Sequence, residues 1–128
     1  MRFNGISILT DDFEGMKKFY TDVLQAEVKE NGVIAAFKVR GAKFSICSMS
    51  VMRSMAPGSM LGAGNGSYTI EMEVEDVDQE YERMKALNVT IVKEPSTQTW
   101  GRRSVWIRDP QGNILNLYKK VGKGTRKK

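Results

Sequence analysis

One pattern runs through this chain twice, about 63–64 residues apart. In the first copy Ile6-Ser7-Ile8-Leu9 alternates as a strand, and Asp11-Asp12 then offers an N-cap for a helix over Phe13–Leu24. Met16, Tyr20, Val23 and Leu24 fall near helical spacing within it. Three strand-like runs follow, Glu27–Glu30, Val33–Arg40 and Ala42–Met49, separated by the turn signals Asn31-Gly32 and Gly41. In the second copy Thr69–Val74 alternates strictly, and Asp76 or Asp78 caps a helix reaching about Leu87. Its apolar face is Val77, Tyr81, Met84 and Leu87, and the runs Thr90–Val92, Arg102–Arg108 and Ile114–Tyr118 come after it. Asp12 falls on Asp76, Ile8 on Met72 and Leu24 on Leu87, while identity between the copies is low. The shared order, strand–helix–three strands, predicts an α+β fold of two tandem βαβββ modules.

Those modules occupy 1–49 and 67–120 of a single domain spanning 1–120, with 50–66 as linker and 121–128 as a disordered basic tail. A chain of 128 residues with 41% hydrophobic and 27% charged residues reads as globular. No apolar run nears the roughly 18–20 residues that span a bilayer, and MRFNGISILTDDF lacks a signal-peptide core, so a cytoplasmic location and no membrane contact are expected. Cys47 is the single cysteine, which rules out an intrachain disulfide. The net charge of +5 resides in the end of the chain: residues 119–128 hold six basic residues, and without them 14 Lys+Arg face 15 Asp+Glu. Basic residues confined to a terminus, with no interleaved aromatics, give no expectation of specific nucleic-acid binding. The linker is rich in Gly, Met and Ser. Gly62-Ala63-Gly64 precedes a strand rather than a helix and so is not a phosphate loop.

The last two runs flank Asp109-Pro110-Gln111-Gly112-Asn113. Proline presets φ, glycine permits positive φ, and Asp and Asn bond their own backbone, so the segment reads as a turn. A duplicated unit ending in Asp-Pro-x-Gly-Asn resembles the vicinal oxygen chelate superfamily, which includes glyoxalase I, extradiol dioxygenases and bleomycin-resistance proteins. Phe19-Tyr20 ahead of Val23-Leu24 is similar to that family's helix signature. Trp100-Gly101-Arg102-Arg103 followed by Arg108–Asn113 looks most like the bleomycin-resistance branch. The resemblance covers about residues 1–120 and implies a curved, cleft-forming mixed sheet with helices on its outer face.

In metal-dependent members, four inward side chains from the first, fourth, fifth and eighth strands hold one divalent ion. The resemblance places these at Gly5, Ser45, Thr69 and Asn116. A catalytic zinc, nickel or iron site needs imidazole, thiolate or carboxylate donors. None of the four supplies one, and the chain has no histidine. No cofactor and no bound metal are therefore expected, and Asn116 marks a former metal position put to other use.

Strand alternation sorts the remaining side chains. Gly5, Ser7 and Leu9, then Lys43, Ser45 and Cys47, then Thr69, Glu71 and Glu73, and finally Ile114, Asn116 and Tyr118 share the old ligand face. With Val105 and Ile107 toward the core, Ser104, Trp106 and Arg108 join that face. The ligand-contacting set read from this is Ser45, Cys47, Thr69, Glu71, Glu73, Arg103, Trp106, Asn116 and Tyr118, with Lys43 close by. Aromatic walls with a few polar groups suit a small molecule, and Trp, Tyr and two glutamates suit a cationic or planar aromatic one. Other readings stay open. Glu71 and Glu73 could be solvated or paired with Lys43 or Arg103, Trp106 could serve a dimer interface, and Trp100-Gly101-Arg102 could be a plain turn. Cys47 has Lys43 four residues away, about 13 Å along the strand, too far to activate it.

Three functions compete, the third being a ligand-sensing or protein-interaction module with the Met-rich linker and basic tail as contacts. The first is metal-free sequestration of a small aromatic or cationic molecule, by a homodimer as the resemblance implies. The second is a metal-independent lyase or isomerase with Glu71 as general base and Lys43 or Arg103 stabilising an oxyanion.

Overall fold

The computed structural model describes residues 1–64 and 66–122. The chain forms two compact units, Met1–Asn65 and Gly66–Lys128, each built on a four-stranded mixed sheet. The first unit runs β1 (Gly5–Thr10), α1 (Phe13–Leu24), β2 (Val28–Glu30), β3 (Ile34–Phe37), β4 (Lys43–Ser48) and α2 (Met49–Met55). The second runs β5 (Thr69–Glu73), α3 (Val77–Ala86), β6 (Thr90–Gln98), β7 (Arg102–Arg108) and β8 (Ile114–Lys120). The sheet orders β1-β4-β3-β2 and β5-β8-β7-β6 are the same order in duplicate, as two tandem βαβββ modules require. In each, the outer strands β1 and β5 pair in parallel with β4 and β8, and the other pairings are antiparallel.

Both long helices begin where the sequence places a cap. Asp12 accepts from the Gly15 amide at 3.1 Å and Asp76 from the Gln79 amide at 3.0 Å, each filling one orphan donor of a first turn. In the first unit α1 buries Met16, Tyr20 and Val23. Tyr20 packs against Phe44 and Phe37 with ring centroids 4.9 and 6.2 Å apart. In the second unit Val77 and Met84 of α3 are buried, as are Val105, Ile107, Leu115 and Leu117. Registers Val105↔Leu117 and Ile107↔Leu115 put the strand residues on one face, so the other face is free for different chemistry.

Three elements differ from the sequence reading. Residues 49–55, mostly within the expected linker, are helical: Ser48 caps α2, and Arg53 pairs with Asp11 at 2.9 Å. The breakers Pro57 and Gly58 start only after this helix, which is the signal that marked its end. Strand β6 extends to Gln98 through Pro95, well past the expected Val92. As an outer strand with two register shifts, between Ile91/Lys93 and Lys93/Ser96, it absorbs a proline that a central strand would not. Strand β3 stops at Phe37, short of the expected Arg40. Of the basic tail read as disordered, residues 123–128 lie outside the described residues. Among the described residues no helix is long and apolar enough to cross a membrane.

Exposed ion pairs decorate the helices. Arg103 donates to both oxygens of Asp78, at 2.7 and 2.9 Å, and holds that carboxyl below its ordinary value of 3.8. In Glu30 the Gly32 amide first and Lys17 second do the same, from an ordinary 4.5. A depressed carboxylate contributes stability that is complete above the unfolded value and is lost as pH falls through the folded one. A shallow acid limb is therefore expected to begin near pH 4.5 and deepen below 3.8. Asp78→Asn should lower Tm slightly at pH 7 and leave it unchanged near pH 2, as scanning calorimetry would register. Equal losses at both pH values would remove the Asp78–Arg103 charge from the account.

Candidate strand-face site

The alternation of β5, β7 and β8 delivers one set of side chains to the sheet face opposite the apolar residues. In register, Thr69↔Ile114, Glu71↔Asn116 and Glu73↔Tyr118 join β5 to β8. Trp106↔Asn116, Ser104↔Tyr118 and Arg102↔Lys120 join β7 to β8. Asn116 thus has Glu71 on one side and Trp106 on the other. The turn at Asp109–Asn113 holds this register. Asp109 is buried and accepts from the Gln111 and Asn113 amides and from Asn113 Nδ2, each at 2.9 Å.

The electrostatics of the face centre on Arg102. Its guanidinium lies 3.7 Å from the Tyr118 ring centroid, and Nη1 is 3.4 Å from Glu71 Oε1. Lys93 of β6 sits over Trp106, with Nζ 5.6 Å from the ring centroid. Arg102 and Lys93 were missed by the sequence reading. The parity that put Ser104 and Trp106 here also puts Arg102 here. Lys93 stood beyond the expected end of β6 and reaches Trp106 through a register shift. Arg103, expected in the ligand-contacting set, takes the other side: it binds Asp78 of α3 and Thr97 Oγ1 at 3.0 Å. One residue of strand turns a side chain to the opposite face, so the arginine that meets Glu71 is Arg102.

Trp106 and Asn116 carry the most telling feature. Trp106 Nε1 and Asn116 Oδ1 are buried side-chain polar atoms with no hydrogen-bond partner among the described residues. Each such group costs roughly 1–3 kcal/mol relative to a satisfied one, and buried polar atoms are nearly always paired. The two are of opposite polarity and belong to one cross-strand pair.

The other expected residues are divided between the two units. Ser45 is in the first unit, where its Oγ donates to Ser7 Oγ at 2.9 Å, as the Ser7↔Ser45 register predicts. Cys47 is buried, with Sγ 3.6 Å from the Ser48 carbonyl oxygen. Lys43, Thr69, Glu71 and Glu73 are exposed. Trp100-Gly101 is the β6–β7 turn, with Gly101 at φ 93 and Trp100 exposed. The four positions that the resemblance maps to metal ligands carry no imidazole, thiolate or carboxylate. A Cβ at Gly5 would collide with the Lys43 carbonyl and lie 2.7 Å from Lys43 Cβ. Ser45 is engaged by Ser7, and Thr69 and Asn116 are neutral. Among the described residues no three His, Cys, Asp or Glu converge on a point.

Comparison with known proteins agrees with the topology. The family model for the Glyoxalase/Bleomycin resistance protein/Dioxygenase superfamily matches residues 2–117. The uncharacterized protein YraH of Bacillus subtilis (strain 168) is 27% identical over 126 residues, covering 93% of this chain and 98% of YraH. A solved glyoxalase/bleomycin resistance protein/dioxygenase family enzyme from Burkholderia phytofirmans PsJN has a TM-score of 0.83 at 14% identity, over 94% of this chain and all of that one. A lactoylglutathione lyase from Agrobacterium tumefaciens has a TM-score of 0.72 at 22% identity, over 92% of each chain. At such identities the solved structures speak for the fold alone. With its duplicated modules, its closed Asp-Pro-Gln-Gly-Asn turn and a family match over 2–117, this chain belongs to the glyoxalase/bleomycin resistance/dioxygenase superfamily.

Proposed function

We propose that the protein binds a small planar molecule on the β5–β8–β7 strand face and does so without a metal ion. The observation that carries this is the presence of two unpartnered polar atoms, Trp106 Nε1 and Asn116 Oδ1, on cross-strand neighbours. Both atoms are satisfied if a ligand completes them, and the Trp106 and Tyr118 rings supply apolar area beside them. Thr69, Glu71 and Glu73 remain candidate contacts by strand parity. A homodimer in the cytoplasm is part of the same proposal, and light scattering on the purified chain tests the dimer. The alternative, an enzyme with Glu71 as base, has weaker support. A general base is best desolvated and free of a counter-ion, whereas Glu71 is 49% exposed and faces Arg102.

Elemental mass spectrometry tests the metal-free part. After incubation with zinc, nickel, manganese and iron and then dialysis, less than about a tenth of an equivalent should remain per chain. Close to one equivalent of tightly held metal would overturn it. A fragment library screened by amide and indole NMR tests the binding part, with shifts expected at Trp106, Asn116 and Tyr118.

A further inference from the structure

The charges on this strand face select among ligands, given that it is the binding surface proposed above. Register and parity bring four cations to the face, Lys93, Arg102, Arg108 and Lys120, against the two acids Glu71 and Glu73. Four against two leaves a surplus of two positive charges, and the acids are confined to the outer strand β5. A face of that sign draws anions and repels cations.

Within it Arg102 is the cation with capacity to spare. Its guanidinium rests on the Tyr118 ring, 3.7 Å from the centroid, and its side chain is 29% exposed. A guanidinium presents five N–H donors in a fixed fork that suits a carboxylate or a phosphate. Among the described residues its one acidic contact is Glu71, Nη1 to Oε1 at 3.4 Å, beyond the roughly 2.7–2.9 Å of a close charge-assisted bond. Arg103 shows the committed alternative, with both oxygens of Asp78 at 2.7 and 2.9 Å. Glu71 is half exposed, so its long contact opens at little cost. Lys93, over Trp106, has no ion pair among the described residues and adds to the same potential. A cation finds no such opening, since Lys93 and Arg102 already lie over the two rings.

We infer that the ligand is a planar molecule bearing an oxyanion, a carboxylate or a phosphate, and that Arg102 selects it. The guanidinium pairs with two of its oxygens, and Tyr118 keeps the fork in place. Glu71 is then the group that the anion displaces.

Four probes built on one benzene ring test this: benzoate, phenyl phosphate, benzamide and benzamidine. They are titrated at low ionic strength into the full-length, 15N-labelled protein. The Trp106 indole and Arg102 Nε–H signals are identified through Trp106→Phe and Arg102→Gln. At least one of the two anions should shift both signals and bind about tenfold more tightly than benzamide or benzamidine, and the tighter of the two names the oxyanion. Arg102→Gln should remove that tenfold preference and leave Tm nearly unchanged, while Arg102→Lys keeps part of it because the charge stays and the fork is lost. Glu71→Gln should tighten the anions about threefold, the opposite of what a glutamate that holds a cationic ligand would give. Preference for benzamide or benzamidine, with shifts at these signals, overturns the inference and leaves the binding face standing. Anion binding that is unchanged in Arg102→Gln, or weakened in Glu71→Gln, does the same. Absence of shifts at Trp106 and Arg102, for the four probes and for the fragment library alike, overturns the binding face and the inference with it.

Discussion

Asp109→Ala is expected to lose about 3–5 kcal/mol of stability, roughly 10–20 °C in Tm. The carboxylate is buried and accepts three hydrogen bonds: from the Gln111 amide, the Asn113 amide and Asn113 Nδ2. Alanine leaves all three donors without that acceptor, and both Asn113 donors are buried. Asn113 in turn accepts from the Tyr68 hydroxyl at 3.1 Å, which ties the entry of β5 to the same network. A domain is stable by only about 5–15 kcal/mol, so the loss is a large share of the whole. Asp109→Asn keeps one accepting oxygen and should lose less. The loss should also reach the candidate strand face, since the turn sets the Arg108↔Ile114 register and hence Trp106↔Asn116. Urea denaturation of the two variants measures this, and a loss under about 1 kcal/mol for alanine would show that the turn does not depend on the carboxylate.

The turn was also the most legible part of the sequence, for a related reason. Pro110, Gly112 and the flanking Asp109 and Asn113 each have one conformational use, and those uses agree. The capped helices were legible on the same grounds, because Asp12 and Asp76 precede apolar residues at helical spacing. Strand parity placed Glu71, Trp106, Asn116 and Tyr118 on one face correctly, because apolar and polar residues alternate cleanly on β5, β7 and β8. Parity fails where a strand bulges, which is why Lys93 was invisible: the shifts in β6 depend on pairing with β7, not on the residues of β6 alone. Arg102 and Arg103 are adjacent and identical in type, and only the strand's phase separates a partner of Glu71 from a partner of Asp78. Whether a buried polar atom finds a partner depends on every surrounding side chain. No spacing rule reports it, so the unpaired Trp106 and Asn116 atoms emerged only from the structure.

Gly5 offers a sharp test of how closely β1 packs against β4. Gly5→Ala is expected to lose about 1–3 kcal/mol through overpacking alone. Gly5 lies opposite Lys43 in the parallel β1–β4 pair, and an added Cβ meets the Lys43 carbonyl and Cβ, which are backbone and branch-point atoms that cannot swing aside. Relief requires β1 to move away from β4, which lengthens the hydrogen bonds that hold an outer strand to its sheet. A ligating side chain begins with that same Cβ, so Gly5→His should lose at least as much and still fail to bring a donor into place. Thermal melts of Gly5→Ala measure the loss. An alanine variant as stable as the parent would mean that β1 yields at no cost.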